Sequence, residues 1–220
     1  MKLLIASARG EVLLHWLGVL FNPVKTFEKT KGNKRAILNI LFVFTALAIL
    51  HYFSILNLTN SVHIKELDEL PEDFPMSLLV IIITGIQLIV TFMSVILLTI
   101  IFKIISLVLF KGIRFKTILF IIILSQIPNA LSALLNAFFV KSIGDGMLLS
   151  LFGLGYAISD YTKNVVVLNF LNSIELFKIW AALITATGFY VYTKKYSLLK
   201  TCIMIMIIYI LINTLTGVFM

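Results

Sequence analysis

The residues of this chain that could do chemistry are few, and most of them sit inside apolar stretches. Glu175 is the sharpest, as the only acid within any long apolar run, with Lys178 three residues later. Three residues apart on a helix is the same face, so the pair can partly neutralise itself. An ionisable group in such a run otherwise marks a binding or transport site. The spacing favours the ion pair. Polar side chains also recur at helical steps. Ser125, Asn129, Ser132 and Asn136 are separated by four, three and four residues, and Thr84, Gln87, Thr91 and Ser94 by three, four and three. Each set falls on one helix face, and such faces are expected to turn away from lipid. Hydrogen bonding between helices, at about 0.6 kcal/mol per contact, is the plainer role. A polar path is the sharper one, with Gln87 and Asn129 lining it and Glu175 at its outer mouth.

Other chemistry finds no support in the sequence. His15, His51 and His63 share no metal-ligand spacing, and the single cysteine, Cys202, excludes a disulfide within the chain. There is no His-Glu-x-x-His, Gly-x-Ser-x-Gly, P-loop or Cys-x-x-Cys; Gly144-Asp145-Gly146 is followed by no Gly-Lys-Ser/Thr. The expectation is a protein that is not an enzyme and that holds no cofactor and no metal.

The elements that position these residues follow from composition. Of 220 residues, 60% are apolar and only 13% charged, with a mean hydropathy of +1.09. Soluble domains run at about 45–50% apolar and about 25% charged, so this chain cannot cover itself with a water-facing surface. In this setting the net charge of +8 reflects topology and lipid, not nucleic acid.

A helix crossing a ~30 Å hydrocarbon core needs about 20 mostly apolar residues. Five runs qualify, near residues 37–56, 76–103, 117–140, 173–192 and 198–219. The second extends to Phe110, and its 35 helical residues would reach roughly 52 Å. It reads as one long tilted helix whose Lys103 reaches the inner headgroups. Pro128 predicts a kink in the third run, with Ser125 or Gln126 able to satisfy the freed carbonyl. The fold class is therefore all-α: a polytopic bundle of five transmembrane helices (37–220) behind a basic cytoplasmic segment (1–36).

Charge alternates between the flanking segments. Lys25, Lys29, Lys31, Lys34 and Arg35 precede the first run, while the loop after it carries Glu66, Asp68, Glu69, Glu72 and Asp73. Lys111, Arg114 and Lys116 follow the second run, and Lys194, Lys195 and Lys200 follow the fourth. The positive-inside rule then places the N-terminus in the cytoplasm and the C-terminus outside. Lys2 with Leu3-Leu4-Ile5 is too short for a signal-peptide core, so no cleavage is expected. Two apolar segments are too short to span. Glu11 to Phe21, with Trp16, predicts an interfacial helix. Met147 to Ile158 predicts an amphipathic helix at the outer interface, with a glycine-assisted re-entrant hairpin as the other reading.

Two stretches carry a family resemblance. The first is Leu20-Phe21-Asn22-Pro23-Val24-Lys25-Thr26-Phe27, an apolar-x-Pro-x-x-x-Phe entry before the first span. The second is Phe177-Lys178-Ile179-Trp180, followed by Gly188, Ser197 and Lys200: a Phe-x-x-Trp, a glycine eight residues on, and a Ser-x-x-Lys entry to the last span. With this order of elements the chain resembles the Yip family (Ypt/Rab-GTPase-interacting proteins), in its bacterial branch of short five-span members. The resemblance singles out Pro23, Phe177, Trp180 and Gly188. It implies an accessory membrane protein accompanying export or stress-response complexes. Eukaryotic relatives are linked to membrane traffic through a long cytoplasmic N-terminal region, which is short here.

The functional expectation is a non-enzymatic accessory or scaffold protein of the bacterial plasma membrane. Its partners are the bilayer and a membrane-protein partner or a second copy, such as an ABC-type exporter or a defence system against membrane-active peptides. The alternatives are a small channel or transporter with a polar path between the second and third spans, and a membrane-shaping protein. The candidate functional positions are Glu175, Lys178, Asn129, Gln87 and Asn136.

Overall fold

The structure is a computed structural model that describes residues 18–31, 36–61, 75–110, 112–138, 141–143 and 147–219. Most of the expected interfacial helix at 11–21 lies outside the described residues; of it, residues 18–21 are helical. The acidic loop is also outside them. The elements are α1 (Pro23–Thr30), α2 (Ala36–Ser61), α3 (Met76–Leu109), α4 (Phe115–Asn136), β1 (Lys141–Ile143), β2 (Met147–Leu149), α5 (Leu154–Ile158), α6 (Val165–Ser173), α7 (Leu176–Thr193) and α8 (Leu198–Phe219).

Among the described residues, three helices are long and apolar enough to cross a membrane: Ser77–Leu109, Phe115–Asn136 and Leu176–Thr193. Shorter apolar stretches run over Phe44–Leu56 in α2 and Leu198–Ile212 in α8, among the described residues. The third and fourth runs are framed differently from expectation. α4 starts two residues earlier than the predicted span and stops at Asn136, and α7 starts at Leu176, which leaves Glu175 outside the helix as its N-cap.

α4 is the centre of the assembly and packs against α2, α3 and α7, while α7 also packs against α1 and α8. α4 and α7 approach each other closely. Gly188 there faces Ile121, whose side-chain carbons lie 2.7–3.1 Å from where a Cβ would stand. Tyr209 of α8 ties the same pair together, with its hydroxyl 3.0 Å from Thr185 Oγ1 on α7 and 3.4 Å from Ser125 Oγ on α4. Each such contact is worth about 0.6 kcal/mol within a membrane. Tyr209→Phe is therefore expected to lower stability by about 1 kcal/mol while leaving the fold intact. Thermal unfolding in mild detergent reads this as a shift of a few degrees; no shift would show that the hydroxyl is not engaged.

Short-range chemistry sets the ends of the helices. Asn22 caps α1, its Oδ1 accepting from Lys25 N at 3.3 Å, and Pro23 opens the first turn, where its missing N–H costs nothing. This explains Pro23 in the entry pattern. Phe27 is fully buried with its ring edge-on to Phe120 and Tyr192, and so anchors α1 on α4 and α7. Three lysines tie down backbone at helix ends. Lys31 Nζ donates to Val191 O at 3.1 Å, Lys195 Nζ to Leu109 O at 2.8 Å, and Lys103 Nζ to Ile113 O at 2.7 Å. Val191 and Leu109 lie in the last turns of α7 and α3, where carbonyls lack helical partners and the helix dipole favours a cation. One of the donors of Lys103 is thus used within the protein, at the end of the helix where an interface was expected. Pro128 lies buried inside α4, but the Ser125 hydroxyl donates to Ile122 O rather than to the carbonyl the proline frees.

α3 is one unbroken helix, as its sequence predicts. Its outer side exposes Ile81, Ile86, Ile89, Met93 and Leu97, the surface expected of a helix facing lipid. Thr84 is buried, donating to Val80 O, whereas Gln87 and Ser94 are exposed; the expected polar stripe does not turn inward as a unit.

The segment between α4 and α7 departs most from expectation. In place of an amphipathic helix over 147–158, β2 pairs antiparallel with β1, Lys141 opposite Leu149, and only the five residues of α5 are helical. α6 was not foreseen; Asn164 caps it, its Oδ1 accepting from Val166 N and Val167 N. Among the described residues, the regular elements other than this two-stranded ribbon are helices.

Candidate functional site

A hydrogen-bonded cluster forms where the C-terminal end of α4 meets the start of α7. Its basis is the backbone around Glu175. That residue is extended (φ −118°, ψ 142°) and pairs antiparallel with Gly153. The pairing is made by Leu154 N donating to Ile174 O and Leu176 N to Phe152 O, both at 3.1 Å. Glu175 makes no side-chain cap to its own helix, which leaves the carboxylate free to reach α4. There it accepts from the Ser132 hydroxyl. Its other oxygen lies 3.7 Å from Lys178 Nζ.

The chain of bonds continues through α4. Asn136 Nδ2 donates to Ser132 Oγ at 3.0 Å and to Ser150 Oγ at 2.8 Å, and its Oδ1 accepts from Leu151 N at 3.1 Å. Ser150 N in turn donates to Asn172 Oδ1 of α6 at 3.0 Å. One carboxylate, two hydroxyls and two amides therefore join α4, α6, α7 and the strand-to-helix connection. Glycine makes the approach of α6 possible. A Cβ on Gly155 would stand 2.7 Å from Leu168 O and 2.9 Å from Asn172 N, and one on Gly153 would stand 2.7 Å from Asn172 Oδ1. Phe177, two residues from Glu175, is buried edge-on to Phe152 at 5.0 Å between ring centres and stacked on Trp180 at 6.1 Å.

Glu175 is 6% exposed, and its carboxylate already accepts from Ser132 and faces Lys178. Buried polar groups satisfied in this way hold elements in register. Among the described residues no group of three His, Cys, Asp or Glu could hold a metal ion.

The structure brings together four of the sequence-singled residues: Glu175, Lys178, Ser132 and Asn136. Asn129 lies apart from them on α4, donating to Gln126 Oε1 at 3.0 Å, with its own Oδ1 buried and unpaired. Gln87 is on an exposed flank of α3 and has no hydrogen bond among the described residues. Ser150 and Asn172 were missed. Both act through contacts distant in sequence; the one local signal was Gly153-x-Gly155, which marks close backbone approach.

At the opposite end of α7, a cleft of about 390 Å³ opens between Phe110, Gly112, Ile113, Arg114, Thr117, Tyr192 and Thr193. Close by, Lys195 and Lys200 both stand over the Tyr196 ring, at 5.1 and 4.8 Å from its centre. Among the described residues, Lys31, Arg114, Lys195 and Lys200 thus stand near this end of α7, and the Glu175 cluster stands at the other.

Comparison with known proteins identifies a family for the chain. A family model described as the Yip1 domain matches residues 17–220. That stretch takes in both Pro23 with its Phe27 anchor and the Phe177, Trp180 and Gly188 positions. Neither the curated proteins nor the solved structures return a match. With the family model covering nearly the whole length, the chain belongs to the Yip1 domain family.

Proposed function

We propose that this Yip1 family member is a five-span, non-enzymatic accessory protein of a bacterial plasma membrane that docks on another membrane complex. In this reading α2, α3, α4, α7 and α8 cross the bilayer, the basic end faces the cytoplasm, and the C-terminus lies outside. The observation that carries it is the use of Glu175, the one buried carboxylate among the described residues. Glu175 is held by Ser132 and Lys178 in a network that fastens helices, which is the role of a scaffold rather than of a transport path. The polar groups of that network are engaged with one another, and the surface beside it exposes Leu176, Val166 and Tyr161. An exporter, or a system that counters membrane-active peptides, is the class of complex such a subunit would accompany.

The test is photo-crosslinking in intact bacteria from Tyr161, Val166 and Leu176, followed by purification in mild detergent. A reproducible membrane-protein partner at these positions supports docking and names the complex. Loss of every partner under all mild extraction conditions would remove it. A C-terminal phosphatase or fluorescent-protein fusion separately reads whether the terminus lies outside, as five spans require.

A further inference from the structure

α3 is the most lipid-facing of the three long apolar helices, yet it carries polar groups where lipid would touch them. Only 17% of its apolar window is buried, against 56% for α4 and for α7. Gln87 and Ser94 are exposed and Thr91 is half-buried between them, four and three residues apart. None of the three has a hydrogen-bond partner among the described residues, whereas Thr84, Thr99 and Ser106 of the same helix all donate to backbone carbonyls. Gln87 and Ser94 lie about 16 and 27 Å along the helix, and Lys103 about 40 Å along it. With Lys103 near the interface, the three polar side chains fall within the ~30 Å apolar layer. An amide in that layer finds no water and needs a donor and an acceptor from another helix.

We infer that this flank of α3 is the contact surface for a second copy of the same chain. The occupant follows from the chemistry. Two copies inserted in one orientation and related by a two-fold axis along the membrane normal bring Gln87 to Gln87, Thr91 to Thr91 and Ser94 to Ser94 at equal depth. A glutamine amide donates and accepts at once, as do the hydroxyls, so each group is satisfied by its own copy. The step of four then three is the spacing of left-handed helix packing. This inference rests on α3 spanning the membrane and not on the docking partner proposed above.

The experiment is disulfide crosslinking in native membranes of the full chain with Cys202→Ser, comparing Ser94→Cys with Ile89→Cys. Ile89 is 65% exposed and two residues from Gln87, about 200° around the helix. Ser94→Cys is expected to give a band at twice the 24.8 kDa chain mass, and Ile89→Cys is not. Adding Gln87→Leu to Ser94→Cys is expected to reduce that band about tenfold, the loss of two reciprocal interhelical bonds. Both positions lie on the exposed surface, so folding is not at stake. Equal crosslinking from both positions, no crosslinking from Ser94→Cys, or a product containing a different protein would each overturn the inference. In the last case the docking reading above would stand and the second copy would not.

Discussion

Gly188→Leu is expected to break the contact between α4 and α7 and leave little folded protein. Even a single methyl meets three carbons of Ile121, at 2.7, 2.8 and 3.1 Å. Ile121 is fully buried and β-branched, so its side chain is stiff on a helix and cannot swing aside. Overpacking a dense core by a few atoms costs about 1–3 kcal/mol, and leucine adds four. Gly188→Ala is the finer test because two effects oppose each other. Alanine gains about 1 kcal/mol of helix propensity, and the clash costs about 1–3 kcal/mol, so the net change is destabilising. Ile121→Ala alone leaves a cavity costing about 2–5 kcal/mol. Combined, the alanine methyl occupies part of that cavity, and the double variant should be more stable than the sum of the singles by at least 1 kcal/mol. Thermal unfolding of all four proteins in one detergent measures this. Additive losses, or a Gly188→Ala more stable than the parent, would show that the helices are not set by this contact.

The same glycine shows how much of the molecule was legible beforehand. Its position was singled out by the family resemblance, but its reason, a crossing with a helix over 60 residues away, was not visible. Long elements were readable because hydrocarbon thickness and hydropathy constrain them directly: α3 was expected as one helix beginning at Met76 and is one. What periodicity cannot supply is absolute direction around a helix. Steps of three, four and three turn Gln87 and Ser94 progressively away from Thr84, by about 60° and 80°, so the stripe leaves the packed side that Thr84 occupies. The region from Lys141 to Ser173 was misread because its local signals were weak. Its two strands are three residues each, and α6 depends on the Asn164 cap and on packing against α8. Glu175 was correctly paired with Lys178 but placed inside the helix, since nothing local reveals that its backbone pairs with Gly153.

The cluster around Glu175 yields the second large effect, at Asn136. Asn136→Leu keeps similar volume and removes three hydrogen bonds together: those to Ser132 and Ser150, and the one from Leu151 N. Ser132 keeps Glu175 as acceptor and Ser150 keeps Phe152 N as donor, so both stay partly satisfied. The Leu151 amide is left without the Asn136 oxygen. Leaving such a group unmade costs about 1–3 kcal/mol and each of the two other lost bonds about 1 kcal/mol more, so a loss of about 3–5 kcal/mol is expected. The effect should also be local. Asn136 is what fastens the segment after β2 to α4, so amide exchange at residues 150–155 should accelerate well before the helices open. Ser150→Ala alone is expected to cost about 1 kcal/mol and, added to Asn136→Leu, much less than that, because the shared bond is already gone. Full additivity of the two, or unchanged exchange at 150–155 in Asn136→Leu, would mean that the network does not hold this end of the protein. With the expected coupling, the carboxylate of Glu175 owes its position to an amide on a neighbouring helix. Its burial is then a consequence of assembly rather than a site kept open for a substrate.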